Sequence, residues 1–553
     1  MTANGSSSSA TGLSDLDLVA SQRLPPIPRA FLAGEHEDLL APLRFLRPDD
    51  NGVVLPDGEP ATVDRKDLAD GLAAANEGYG HPRAEALAAK LADPATRVVV
   101  TGQQAGIYGG PLLALTKMVA AVRWAEALEA SGHGVAEQSA VAVFWIATED
   151  HDWAEATKMS VMTREGAQNY DLGDDPAHLR PMGDRLLGNA FANLVERLRQ
   201  DLGDAALEMA GRHYHPEASF GDAFAGFFTE LLGERAPLFL DSQLPALKKA
   251  QQPWLRRLVE QRREIDTALT AAVAELERRD LPTQVRFRPG DSPLFFVANG
   301  ERRRIEWRGV HGYALRGTDE EHPIDHLFER LEEDPACLSP GVLCRPALQD
   351  ATLGTTLQIM GPAETSYLTQ ASAVYRTLGI DGPWTTLRPQ VMVVEERQQS
   401  YLGELGVDLD ELLGTPIDQI LADRLHDDFV APVRDQINDL FESLRAPVLE
   451  VEQQLEKPFN KTRDQVGRAL DQLSGRITAA VGRRNEVWQR RLQQARDQVL
   501  PDNHLQERHL SVLHYVARYG PEFAEMYWND DFNLDPRFLQ ILSLRPMPSG
   551  GVS

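Results

Sequence analysis

Val98-Val-Val-Thr-Gly-Gln-Gln-Ala-Gly-Ile-Tyr-Gly-Gly-Pro111, set beside Val143-Phe-Trp-Ile-Ala-Thr-Glu-Asp-His-Asp152, decides the fold. Val98, Val99 and Val100 form a continuous apolar run, the mark of a strand buried on both faces. Thr101 to Gly110 follow as a glycine-rich turn, and Pro111 suits the first turn of a helix. Val141 to Ala147 repeat the pattern and stop in Glu149, Asp150, His151 and Asp152. Two parallel strands joined through a helix bring both endings to one carboxyl edge, where open α/β sheets bind ligands. The pair therefore predicts an α/β, Rossmann-like parallel-sheet core with a site at that edge.

The turn has the composition of a ligand loop. Gly102 and Gly106 can take positive φ and admit a ligand close to the backbone, and the helix start beyond them offers unpaired N–H groups to an anion. Thr101, Gln103 and Gln104 add uncharged polar groups. No Gly-Lys-Ser/Thr follows, and the glycines lack the G-x-G-x-x-G spacing, so neither phosphate-loop fingerprint is present. In the second ending, three carboxylates could hold an ammonium group or Mg²⁺, and His151 could move a proton near neutral pH. A solvated acidic turn with Asp152 as helix N-cap is the plainer alternative. No zinc-ligand spacing occurs.

At this point the chain resembles a known family. VVVTGQQAGIYGGPLLALTKM (98–118) and VAVFWIATEDHDWAEATKMSV (141–161) are similar to the hallmark blocks of the bacillithiol-biosynthesis cysteine ligases called BshC. Leu343-Cys-Arg-Pro-Ala-Leu-Gln-Asp350 with Met360-Gly-Pro-Ala-Glu-Thr-Ser-Tyr367 resembles a third block, and Leu500 to Arg508 with Tyr519-Gly-Pro-Glu-Phe523 a fourth. The blocks run in family order through nearly the whole chain. Met360 and Ala363 stand where the family tends to have glycine, which narrows the second loop.

The resemblance implies the last step of bacillithiol synthesis, in which the carboxyl of cysteine joins the amine of glucosaminyl-malate. Such an amide bond needs an activated carboxylate, so ATP or ADP is the expected cofactor, with Mg²⁺ possible, and activation through an acyl-adenylate or an acyl-phosphate stays open. It also implies a core related in layout to class I aminoacyl-tRNA synthetases. In that reading Thr101, Gly102, Gln103, Gln104, Gly106, Arg345, Glu364 and Tyr367 would contact substrate. Glu149, Asp150 and Asp152 would hold an amine or a metal, and His151 would be the general base. Gly361, Gln506, Glu507, Arg508 and Tyr519 would add nucleotide contacts, with a C-terminal packing motif as the alternative for the last four. A Mg²⁺-dependent nucleotidyl or phosphoryl hydrolase or transferase and a non-catalytic pathway scaffold remain as rival readings.

The remaining residues organise the chain around this core. Met1 to Ser14 read as a disordered lead-in without an apolar signal region. The core's first half spans 15–152, a mainly helical insert 153–236, and a continuation 237–280 that opens with a third strand at Pro237–Asp241. A β-hairpin insert spans 281–325, turning at Asn299-Gly300; its Arg302-Arg-Arg304 run could meet a carboxylate or phosphate, but a solvated hairpin edge is the preferred reading. The core's second half spans 326–398 and closes with a strand at Val391–Glu395. From 399 to 500, apolar residues recur at three- and four-residue steps (Val430, Val433, Ile437, Leu440, Leu444; then Val466, Leu470, Leu473, Ile477, Val481). They predict an antiparallel helical arm with coiled-coil-like packing, broken by Pro447 and Pro458. A C-terminal segment spans 501–553.

The net charge of −27, with only eight lysines among 56 basic residues, leaves no basic stripe for nucleic acid. It also suggests a salt-rich cytoplasm, where screening relieves self-repulsion, while GC-rich coding alone would also exchange lysine for arginine. No apolar run reaches membrane-spanning length. Cys337 and Cys344, without a motif, read as free buried thiols of a cytoplasmic protein. The arm's seam predicts a homodimer.

Overall fold

The computed structural model describes residues 14–49, 54–57, 63–131, 139–163, 165–425, 431–529 and 532–544; the proposed lead-in lies almost wholly outside them. Six strands build the central sheet: β1 (Arg44–Phe45), β2 (Arg97–Gln103), β3 (Ala140–Ile146), β4 (Leu238–Asp241), β5 (Thr355–Met360) and β6 (Trp384–Leu387). Their order is β1-β6-β5-β2-β3-β4, and every pair is parallel. The chain adds β3 and β4 on one side of β2, then returns to place β5 on the other. The switch point therefore lies between β2 and β5.

Continuous apolar strands form here because both faces are covered. On one face Val98, Val100, Val141, Val143, Trp145, Leu238 and Leu240 pack with Leu68, Leu72 and Leu247. On the other, Val99, Ala140, Ala142, Leu357 and Ile359 pack with Ala120, Ala121, Trp124 and Leu128 of helix α1 (Leu113–Ser131). The period-two alternation of strands sends successive valines to opposite cores.

Helices α2 (Pro245–Glu260), α3 (Arg345–Leu353) and α4 (Pro362–Leu378) complete what positions the site. α3 ends at Gly354, whose φ of 60° supplies the left-handed cap.

The glycines of the β2 turn act differently from expectation. Gly106 has φ −76°, and the positive values fall at Tyr108, Gly109 and Gly110. Gly102 and Gly106 are needed for close packing instead: a Cβ on Gly102 would lie 2.7 Å from the Trp145 carbonyl oxygen, and one on Gly106 would lie 2.7 Å from Gly110 Cα.

The first insert is mainly helical but contains a hairpin, Met159–Thr163 against Gly166–Tyr170. The second is a sheet of Asp291–Ala298, Glu301–Arg308, Gly312–Leu315 and Glu321–Pro323, joined by Leu338–Pro340. Asn299 and Gly300 turn its first hairpin at φ 53° and 75°. Gln390–Glu395 is a strand as expected, but it joins a separate three-stranded sheet with Phe538–Leu544 and Leu16–Asp17 rather than the parallel core.

Residues 395–500 form a unit of their own. Helices α5 (Ala431–Val451) and α6 (Glu456–Val499) make the predicted hairpin. Arg445 meets Glu456 near the turn and Arg434 meets Asp471 farther out, so the two run antiparallel. Pro447 lies inside α5 rather than ending it, and Pro458 sits in the first turn of α6. Val430 lies outside the described residues, as do the side chains of Ile477 and Val481.

Candidate active site

A cavity of about 880 Å³ opens at the carboxyl ends of β2 and β3, beside the switch point. Gly102, Gln103, Gln104 and Gly106 from the first turn line it, with Glu149 and Asp150 from the second and Arg345, Gly361, Glu364, Tyr367 and Arg508 from farther along the chain. Eleven residues singled out from sequence thus meet on one wall system.

The centre of that wall is Lys117, which sequence reasoning passed over. Its ammonium donates to Gly102 O at 2.7 Å, to Gln103 Oε1 at 3.1 Å and to Glu364 Oε2 at 2.5 Å. The same Glu364 carboxylate accepts the Gly361 N–H at 2.7 Å, capping α4. Burial opposes a charge on Glu364, yet Lys117 and the Gly361 amide outweigh it and hold the carboxyl below its usual range. A signal was available: Lys117 interrupts the otherwise apolar face of α1, and a lysine there is buried only with a partner. Arg345 donates to the Tyr367 hydroxyl at 3.0 Å, and its own guanidinium faces the cavity.

The acidic turn divides its tasks. Glu149 is taken up by the Lys248 ammonium of α2 in a buried pair, where burial pushes the lysine down to about 7. Asp152 caps the short helix Trp153–Thr157, accepting Glu155 N–H at 3.0 Å, as the plainer reading has it, and is not among the residues lining the cavity. Glu155, unmarked in the sequence reading, does line the cavity and accepts from Gln103 Nε2 at 3.0 Å. Desolvation, then Asp152 and Asp150, raises its pKa.

His151 lines a smaller neighbouring cavity of about 150 Å³ together with Asp150 and Arg302. Arg302 is the main departure from expectation. It is 5% exposed rather than a solvated hairpin residue, because the hairpin folds its first arginine inward over the Phe295 ring, 3.7 Å away. Its Nη1 reaches His151 Nδ1 at 3.2 Å and Asp150 Oδ1 at 3.4 Å.

The remaining expected contacts are structural. Thr101 donates to Ile359 O at 2.9 Å, tying β2 to β5. Gln506 bonds the backbone of Val393 through both amide atoms, and Glu507 clamps Arg388 at 2.5 and 2.7 Å with both side chains 1% exposed. Tyr519 stacks on Tyr515. None of these four lines the cavity, so the C-terminal block packs the core and contributes Arg508 and Ser511 to the site. Cys337 and Cys344 are free and buried, and burial pushes the Cys337 thiol up to about 12.

Among the described residues, no three His, Cys, Asp or Glu side chains converge as a metal site, and no helix is long and apolar enough to cross a membrane.

Residues 55–389 match the family profile described as bacillithiol biosynthesis BshC, N-terminal Rossmann-like domain, and residues 391–543 match its C-terminal coiled-coil domain. Relatives named "Putative cysteine ligase BshC" include one from Salinibacter ruber, 30% identical over 84% of this chain and 86% of its own. Another, from Koribacter versatilis, is 30% identical over 84% and 87%. A third, from Solibacter usitatus, is 28% identical over 80% and 83%. With a parallel-sheet core, a helical arm and the T-G-Q-Q and E-D-H-D turns at one sheet edge, the chain belongs to the bacillithiol biosynthesis BshC family.

Proposed function

We propose that the protein is a ligase that joins the carboxyl of cysteine to the amine of glucosaminyl-malate in the large cavity, completing bacillithiol. The observation that carries this reading is a single cavity, at the switch point of a parallel sheet, that sets carboxylates beside cations. An amine and a carboxylate can both find counter-charges there.

The residues fit a nucleotide as the driver. Gln104 Oε1 is a buried acceptor with no hydrogen-bond partner among the described residues, which suits an amino or hydroxyl donor. Arg508 and Lys158 line the cavity without an ion-pair partner among the described residues, and would meet phosphates. ATP, when bound, supplies the activation of the carboxylate.

In the reaction the amide C–N bond forms as the activated carboxyl oxygen leaves, and the attacking amine gives up a proton. Glu155 takes that proton: it faces the cavity, and its raised pKa makes it a stronger base than an ordinary carboxylate. Lys117 and Glu364 hold the two turns in register, and Arg345 with Tyr367 orients a carboxylate.

The test is complementation of a strain lacking the cysteine-adding step, with bacillithiol and glucosaminyl-malate measured by mass spectrometry. Restored bacillithiol is the expected result. Glucosaminyl-malate that accumulates despite expression of this chain overturns the reading.

A further inference from the structure

We infer that Arg302 holds His151 as a neutral imidazole with its proton on Nε2, so that His151 serves the site as a hydrogen-bond donor and not as its base. The tautomer part stands on geometry alone; the role in the reaction rests on the proposed ligase function.

Every nitrogen of arginine donates and none accepts. Arg302 Nη1 lies 3.2 Å from His151 Nδ1, so that ring nitrogen must offer a lone pair. A neutral imidazole accepting at Nδ1 carries its proton on Nε2. The competing arrangement, Nδ1–H donating to Asp150, has the longer contact at 3.5 Å. It would also aim two N–H groups at each other.

Arg302 is not free to turn away. Its Nε donates to Ser339 Oγ at 2.9 Å, Nη2 to Pro340 O at 3.4 Å, and Nη1 also to Asp150 Oδ1 at 3.4 Å, while the plane lies over Phe295. Burial lowers its pKa to about 10, which leaves it charged at neutral pH. The same Asp150 Oδ1 also accepts the His151 backbone N–H at 2.8 Å.

The electrostatics agree. Burial first, then Arg302, lowers the pKa of His151; Asp150 opposes them, and His178 and Arg185 add to the lowering. With its pKa below the ordinary 6.5, the ring is neutral at pH 7.

A base needs a free lone pair, and the only one His151 has is occupied. Its Nε2–H has no hydrogen-bond partner among the described residues, and the ring borders the cavity shared with Asp150 and Arg302. That smaller cavity shares Asp150, Arg302 and Val342 with the large one, so a fixed donor there suits an oxygen of a substrate that reaches past Asp150.

Two measurements test this. In protein labelled with ¹⁵N-histidine, the His151 resonances, assigned by their loss in His151→Ala, should show a pyridine-type Nδ1 and a pyrrole-type Nε2 from pH 7 to 8. Arg302→Met should release that pattern and raise the pH at which His151 titrates. A protonated Nδ1 in the wild-type chain overturns the inference. In the complementation assay, His151→Gln places an amide N–H near Nε2–H, whereas no glutamine replaces a base. We expect thiol output to fall about 10²-fold for His151→Ala and to recover to within about tenfold of wild type for His151→Gln. Equal loss in both variants, or no loss in either, overturns the donor role. Failure of the wild-type chain to make bacillithiol overturns the ligase reading instead, and leaves the spectroscopic result standing.

Discussion

The Lys117 ammonium lies 2.5 Å from the Glu364 carboxylate, joining the helix after β2 to the helix after β5 across 247 residues of sequence. It is the clamp of the switch point, since the same lysine holds Gly102 and Gln103 and the same carboxylate caps Gly361.

Removing one half of this pair should cost more than removing both. Lys117→Met leaves a carboxylate uncompensated on a largely buried wall, a loss of about 3–5 kcal/mol. The double variant Lys117→Met/Glu364→Gln should recover much of that stability yet remain unable to restore bacillithiol, because the turns lose their register. Chemical denaturation and complementation read the two effects separately. A double variant as active as wild type would show the clamp to be dispensable.

Glu155 should behave as a base and not as a support. Glu155→Gln keeps the shape and a hydrogen bond with Gln103 while removing proton acceptance, so thiol output should drop about 10²- to 10⁴-fold with the melting temperature unchanged. Output near wild type would assign the proton to another group.

Acid should reveal two buried carboxyls. Burial raises Asp241 and Asp350 to about 6, above the ordinary 3.8. Between these values the folded chain keeps protons that the unfolded chain has released. Each group therefore contributes stability that is full below about pH 4 and is lost as pH rises through 6. Asp350→Asn, which cannot ionise, should remove its share, about 3 kcal/mol by the linkage relation. The measurement is unfolding at pH 4.5 and 7.0; a gap between them as wide in the variant as in wild type would refute it.

Salt and assembly give one further check. With net charge −27, the chain should melt lowest in dilute buffer and gain stability as KCl approaches 1 M, where the screening length falls to about 3 Å. A flat or falling melting temperature rules out the salt-adapted reading.

The apolar series of the arm supplies the assembly test. Val433, Leu440 and Leu444 of α5 are 44%, 56% and 44% exposed at helical spacing, a stripe that a second copy is expected to cover. Light scattering should report a dimer for the intact chain and a monomer for Leu440→Glu/Leu444→Glu. An intact chain that is monomeric at micromolar concentration excludes that assembly.

The strands and helices of this protein were legible because burial leaves a local record. Val98 to Val100 and Val141 to Ile146 are apolar at every position, and only a strand covered on both faces needs that. The arm's two helices were legible through their helical period, although Val433, Leu440, Leu444 and Leu473 of the expected seam remain exposed. The two turns that line the cavity were legible because an apolar run that ends in glycine, amide and carboxylate groups has one sensible place in a parallel sheet. What local pattern does not encode is which polar side chain meets which. Arg302 sits in a run of three arginines, and only the docking of its hairpin chose it for His151, 151 residues away. Glu507 looked like a ligand contact until packing gave it Arg388, 119 residues earlier. Lys117 was a lone cation in an apolar helix until β5 brought Glu364 beside it. A buried charge is stable only with a partner, and partners this far apart in sequence are selected by chain closure. The sequence by itself determined the layers and the edge where the site lies; the tertiary structure decided which charges are spent on holding it together and which are left for chemistry.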